Sequence, residues 1–170
     1  MNSNDTLRND TLRNDHVGAT GHVDAGAVTE QLNSFLRGEL SAVETYRQAI
    51  DKLQSHSGTG VALLTQLMAS HVERVQRLRD EVVRCGGTPS DDSGAWGTFA
   101  KLVEGAAELF GEKSAIAALE EGEDHGLKDY RTGMPKLDAT TRQWIESTIY
   151  PEQQKTHAAL SDFKKKLAAS

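Results

Sequence analysis

Gly38-Glu39-Leu40-Ser41-Ala42-Val43-Glu44-Thr45-Tyr46-Arg47 and Gly122-Glu123-Asp124-His125-Gly126-Leu127-Lys128-Asp129-Tyr130-Arg131 write one pattern twice. In each copy a Gly-Glu pair, an aliphatic residue four positions on and a Tyr-Arg pair fall together at helical spacing. The glutamate belongs on the buried side of that stripe. A carboxylate taken out of water is strongly unfavourable unless a cation or hydrogen-bond donors compensate it, so two at equivalent places in a duplicated pattern call for positive charge between them. The simplest such charge is a metal ion.

Outward from the first copy, Leu32, Leu36, Glu39, Val43, Tyr46, Ile50 and Leu53 continue in alternating steps of four and three, one face of a helix in a bundle. Ser57-Gly58-Thr59-Gly60 ends that helix. The next stripe runs Leu64, Met68, His71, Val75, Leu78, Val82 and Cys85 until Gly86-Gly87 and Pro89 stop it. His71 therefore also faces the core, and the short loop makes the two helices an antiparallel hairpin. Around the second copy, Ile116, Glu120, Glu123, Leu127, Tyr130 and Met134 share a face ended by Gly133 and Pro135. A fourth helix starts near Asp138, a capping residue, and carries Trp144, Ile145, Ile149, His157, Leu160, Phe163 and Leu167. Pro151 predicts a kink or short break inside it. Between the hairpins, a polar turn through Ser90-Asp91-Asp92-Ser93 and an amphipathic piece with Trp96, Phe99, Leu102 and Leu109 read as a crossover containing a short helix. That crossover is expected to let the second hairpin start in the same direction as the first.

No stretch alternates with the two-residue period of a strand, and the chain is rich in Ala, Leu, Glu, Gln, Lys and Arg. The expected fold is all-α, with a disordered tail over residues 1–26, where Asn-Asp-Thr-Leu-Arg is written twice, and one bundle domain over 27–170. A formal charge of −6 without a basic face argues against a nucleic-acid or anionic-membrane partner. Cys85 is alone, no run is long and apolar enough for a membrane span, and no hydrophobic signal core begins the chain. A cytoplasmic location follows as the expectation. Neither a nucleophile–base pair nor a glycine-rich phosphate loop is present, which sets hydrolase and kinase readings aside.

Folding the two hairpins together puts Glu39, His71, Glu123 and His157 at one level of a four-helix core, a set of oxygen and imidazole donors suited to iron, manganese or zinc. Glu120, one turn before Glu123, is a further carboxylate donor. Glu152, Gln153 and Gln154 join the set if Pro151 turns them inward. Each residue has a structural alternative: a neutralising arginine beside the two glutamates, a satisfied core histidine, and Tyr46 and Tyr130 as core residues whose hydroxyls bond a neighbouring carboxylate.

With these residues in view, the chain resembles the ferritin-like superfamily, whose di-iron members place a Glu on each of two helices and a Glu-x-x-His on each of the other two. The Glu39-to-Tyr46 spacing is similar to the first helix of bacterioferritins and rubrerythrins. The runs Arg37-Gly38-Glu39, Ser93-Gly94-Ala95-Trp96-Gly97 and Glu121-Gly122-Glu123-Asp124 are similar to bacterial ferritin-like domains of unknown function. The resemblance implies a ferritin-like bundle over about residues 28–168, a metal ion as partner, a homodimer, and, if there is catalysis, an oxidoreductase of ferroxidase or peroxide type. The chain departs from that pattern where Met68 and Gln154 stand three residues before His71 and His157, so both bridging carboxylates are missing. Two dications would face two glutamates, a poor charge balance. Two functions are thus expected: a metal-binding ferritin-like protein with an atypical site, or a non-catalytic structural or interaction bundle whose metal site has degenerated.

Overall fold

The structure, a computed structural model, describes residues 24–55, 60–94 and 111–169. Helix α1 spans Ala25–Ser55, α2 Val61–Arg84 and α3 Glu112–Gly133. A 3-10 turn, Met134–Lys136, leads to α4, Ala139–Trp144, which passes through a π-helical segment, Ile145–Ile149, into α5, Tyr150–Ala169. Among the described residues there is no strand, so the all-α expectation holds. α1 packs chiefly along α2, and α3 along α5. Of the tail expected over 1–26, residues 1–23 lie outside the described residues, and α1 begins at Ala25, just inside that boundary. Residues 95–110, on which the short helix of the expected crossover falls, also lie outside the described residues.

The helix ends follow their local chemistry. Gly87 donates its N–H to the Val82 carbonyl and Gly86 donates to that of Val83, a Schellman closure of α2 that needs the left-handed φ of +80° taken by Gly86. Asp138 caps α4 through one carboxylate oxygen that accepts from the amides of Thr140 and Thr141. The kink expected at Pro151 takes another form. Pro151 has no N–H to offer the carbonyl one turn earlier, and the wider π turn immediately before it absorbs the defect, so α5 runs on unbroken.

Each long helix carries apolar, polar and apolar bands in that order. Val28, Leu32, Phe35, Leu36, Val75, Leu78, Val82, Tyr130, Met134, Ile145 and Ile149 form one core cluster. Tyr46, Ala49, Ile50, Leu53, Leu64, Leu67, Ile116, Leu119 and Leu160 form the second. Between them lies a layer of buried polar side chains: Glu39, His71, Arg74, Glu123, Gln153 and Thr156. The order of the bands gives the direction of each helix. α1 and α5 run from the first cluster to the second; α2 and α3 run the other way. The second hairpin therefore starts in the same direction as α2 and opposite to α1. This corrects the expected direction: α2 finishes at one end of the bundle, α3 begins at the other, and Gly60 and Glu112, both helix starts, meet through a hydrogen bond of 2.8 Å.

Candidate functional site

The polar layer is assembled from all four sides of the bundle. α1 supplies Glu39 and Tyr46, α2 His71 and Arg74, α3 Glu123 and Tyr130, and α5 Gln153 and Thr156. The two copies of the repeated pattern meet across the α1–α3 seam and exchange donors: the Tyr46 hydroxyl donates to Glu123 Oε1 at 2.5 Å and the Tyr130 hydroxyl to Glu39 Oε1 at 2.6 Å. His71 stands between the carboxylates, with Nδ1 2.8 Å from Glu39 Oε2 and Nε2 3.0 Å from Glu123 Oε1. Arg74, 1% exposed, donates Nε to Glu39 Oε1 at 2.9 Å, Nη1 to Ser70 and Nη2 to Gln153 Oε1 at 2.9 Å. Gln153 Nε2 and Thr156 Oγ1 complete the shell by donating to Glu123 Oε2 at 2.7 and 3.0 Å.

This arrangement balances charge inside the protein. Burial pushes the Glu39 carboxyl towards its neutral form, but Arg74 and His71 more than reverse that and bring its pKa to about 2. Glu123 moves the same way: burial raises it, and His71, Tyr46 and Arg74 lower it below the usual carboxylate range. Burial and the neighbouring guanidinium act to lower the pKa of His71, and the two carboxylates overcome both, leaving it raised. Both His71 nitrogens lie within hydrogen-bond distance of a glutamate, and Arg74 Nη2 points one hydrogen at His71 Nδ1 from 2.6 Å as well as donating to Gln153 Oε1. With His71 protonated, the form its raised pKa favours, two carboxylates and two cations sum to zero. Burial, followed by the adjacent glutamate, raises both tyrosines well above the ordinary phenol value, so each remains a donor.

Of the sequence-derived residues, Glu39, His71, Glu123, Tyr46, Tyr130 and, of the three residues after Pro151, Gln153 come together, whereas Arg74 and Thr156 were missed. His157 and Gln154 are not at this level. The step from Leu160 back to the layer is four residues, to Thr156, and the stripe Ile145, Ile149, Gln153, Thr156, Leu160 turns Gln154 to solvent and His157 to the flank. His157 Nε2 lies 2.7 Å from Asp124 Oδ1. Glu120, about one turn before Glu123, accepts from Lys164 Nζ at 2.6 Å. Glu152 is bound by Lys155 at the surface.

The central residues do not fit a metal ion as arranged. A single imidazole that turns one nitrogen to each glutamate cannot present both carboxylates and a ring nitrogen to one cation, and Arg74 fills the space a dication would neutralise. Among the described residues, the one trio of histidine and carboxylate donors whose ligand atoms all lie within 4.8 Å of one another is Glu120, Asp124 and His157, on the flank.

A cleft of about 250 Å³ opens between α1 and α3 and reaches this layer. Gly38, Ala42, Gly122 and Gly126 line its walls, Glu39, Glu123, Tyr46, Tyr130, His71 and Gln153 its floor, and the exposed His125 and half-buried Asp129 its mouth. Small side chains leave the α1–α3 seam unfilled there. Nothing within 4 Å meets a Cβ built on Gly38.

Among the described residues no helix is long and apolar enough to cross a membrane. Residues 27–136 match a family model described as a domain of unknown function, DUF2383. No curated protein and no solved structure matches the chain.

Proposed function

From the premise that the chain belongs to the DUF2383 family, we propose that it is a ferritin-like four-helix bundle whose metal position has been taken over by the protein's own cations, and that it serves as a non-catalytic binding or interaction module. One observation carries this reading. Three donors reach Glu39, from Arg74, His71 and Tyr130, and four reach Glu123, from His71, Tyr46, Gln153 and Thr156. A ferritin-like core needs metal charge because its carboxylates otherwise repel; here Arg74 and His71 supply it. The helix directions, with α2 and α3 parallel and joined by the long 85–111 connection, agree with the ferritin-like arrangement. Among the described residues no trio of histidine and carboxylate ligand atoms gathers at the core, and this reading includes no oxygen or peroxide chemistry there.

The test is thermal unfolding of the metal-stripped protein with and without ferrous, manganous and zinc ions. A cation held only by the folded state at 100 times its dissociation constant adds about 2.7 kcal/mol, which raises the Tm of a domain this size by several degrees. No rise, or a rise unaffected by Glu39→Gln, is expected. A rise abolished by Glu39→Gln and Glu123→Gln refutes the reading and restores a core metal.

A second reading keeps a metal but moves it to the flank. Glu120 and Asp124 are one helical turn apart on α3 and His157 faces them from α5, oxygen and imidazole donors that suit zinc, manganese or iron(II) once Lys164 leaves Glu120. Its mark is dication binding that disappears in Asp124→Asn and His157→Gln while Glu39→Gln leaves it intact.

A further inference from the structure

The floor of the α1–α3 cleft is unusual in what it offers a ligand. Tyr46 and Tyr130, 2% and 3% exposed, have each committed their one hydroxyl hydrogen to a glutamate. Both His71 nitrogens and the Gln153 amide hydrogens are likewise turned to the carboxylates or to the Glu123 carbonyl. What remains on the floor is oxygen lone pairs, that is, acceptors. The layer beneath is electrically balanced, so a charged guest would be desolvated without a counter-charge. The walls, made by Gly38, Ala42, Gly122 and Gly126 with Phe35 and Leu119, are mainly apolar, broken by the hydroxyls of Ser34, Ser41 and Thr45. They face each other across a slot that holds roughly eight water-sized volumes at about 30 Å³ each.

From this combination we infer that the cleft is a binding site for a small, flat, uncharged molecule that carries an N–H or O–H donor at its edge, the class of N–H heteroaromatics and phenols. The apolar body lies between α1 and α3, and the donor points down to the phenolic and carboxylate oxygens. The size of the cleft excludes nucleotides and other large cofactors. The inference rests on the self-neutralised layer described above, because an uncompensated carboxylate there would select a cation instead.

Three probes of nearly one shape separate the possibilities: indole, 1-methylindole, which lacks the donor, and tryptamine, which carries a positive charge at neutral pH. Titration calorimetry on the full chain is expected to give saturable one-to-one binding of indole. Affinity should be about five- to tenfold weaker for 1-methylindole, the cost of one hydrogen bond left unmade, and tryptamine should bind more weakly than indole. Gly38→Leu fills the slot from a position where nothing opposes the new side chain and improves helix propensity, so the variant folds, which circular dichroism checks. It should lower indole affinity by about tenfold or more. Equal binding of indole and 1-methylindole, no saturable binding of indole, or unchanged binding in Gly38→Leu overturns the inference while leaving the balanced layer standing. Tighter binding of tryptamine than of indole overturns the inference, and if it persists in Asp129→Asn it overturns the balanced layer too, because the negative charge then lies in the floor and not at the mouth.

Discussion

Arg74 Nε lies 2.9 Å from Glu39 Oε1, and the two side chains are 1% and 3% exposed, an ion pair taken wholly out of water. Such a pair contributes little beyond what two apolar side chains would, but losing one partner strands the other charge. Arg74→Met is therefore expected to cost about 3–5 kcal/mol in urea unfolding. Glu39→Gln added to it should cost much less than it does alone, a coupling of about 1–3 kcal/mol read from the double-mutant cycle. Additive effects would mean that Arg74 is not the counter-ion.

Stability should peak in a window and fall on both sides. The Glu39 pKa is depressed from 4.5 to about 2, and that of Glu123 is lowered too, so their contribution is present above about pH 4.5 and lost as acid protonates them. The His71 pKa is raised above 6.5, so its contribution is complete below about pH 6.5 and lost as the pH climbs through the folded value. The Tm measured from pH 3 to 9 is expected to be flat near pH 4.5–6.5 and to decline outside it. His71→Gln should flatten the alkaline limb and also shrink the acid one, because His71 is one of the cations that hold both carboxylates below their ordinary pKa.

The apolar steps of four and three made α1, α2 and α3 legible because a stripe of Leu, Ile and Val has one physical use, burial against other helices. They also placed Glu39, His71 and Glu123 correctly, since each interrupts such a stripe. Arg74 escaped notice although it sits three residues beyond His71 on the same face, because a long cation beside Val75 reads as a side chain that reaches out to water. The fourth helix was read one residue out: Leu160 has helical neighbours at both Thr156 and His157, and the repeat logic favoured the histidine. Only packing chooses between them, and the stripe through Ile149 and Gln153 selects Thr156. The duplication is thus preserved in the carboxylates and tyrosines of α1 and α3 and lost in α2 and α5, where His71 and Arg74 face Gln153 and Thr156.

That broken symmetry makes the tyrosines a matched pair. Each donates to the glutamate of the other copy, at 2.5 and 2.6 Å, and each is buried. Tyr46→Phe and Tyr130→Phe are expected to cost about 1.5–3 kcal/mol apiece, the worth of a hydrogen bond to a charged group. Glu123 retains three other donors and Glu39 two, so Tyr130→Phe should be the costlier change. Chemical denaturation of the two variants side by side checks the order, and a neutral Tyr130→Phe would show that water replaces the phenol through the cleft.

Glycines on the α1–α3 seam look alike in sequence but should respond oppositely to a methyl group. A Cβ on Gly126 would lie 2.9 Å from Gln153 Nε2, the atom that donates to Glu123 at 2.7 Å, so Gly126→Ala must push the amide away and strip one donor from a buried carboxylate. Gly38 has open space in that direction, and Gly38→Ala removes backbone freedom from the unfolded helix without a clash. Gly38→Ala is expected to stabilise by about 0.5–1 kcal/mol, whereas Gly126→Ala should destabilise by about 1–3 kcal/mol despite the same gain in propensity. Pairing Gly126→Ala with Gln153→Ala, which removes the side chain that clashes, should make the glycine substitution far milder. If it stays as costly in that background, the penalty arises from helix packing and not from the donor shell of Glu123.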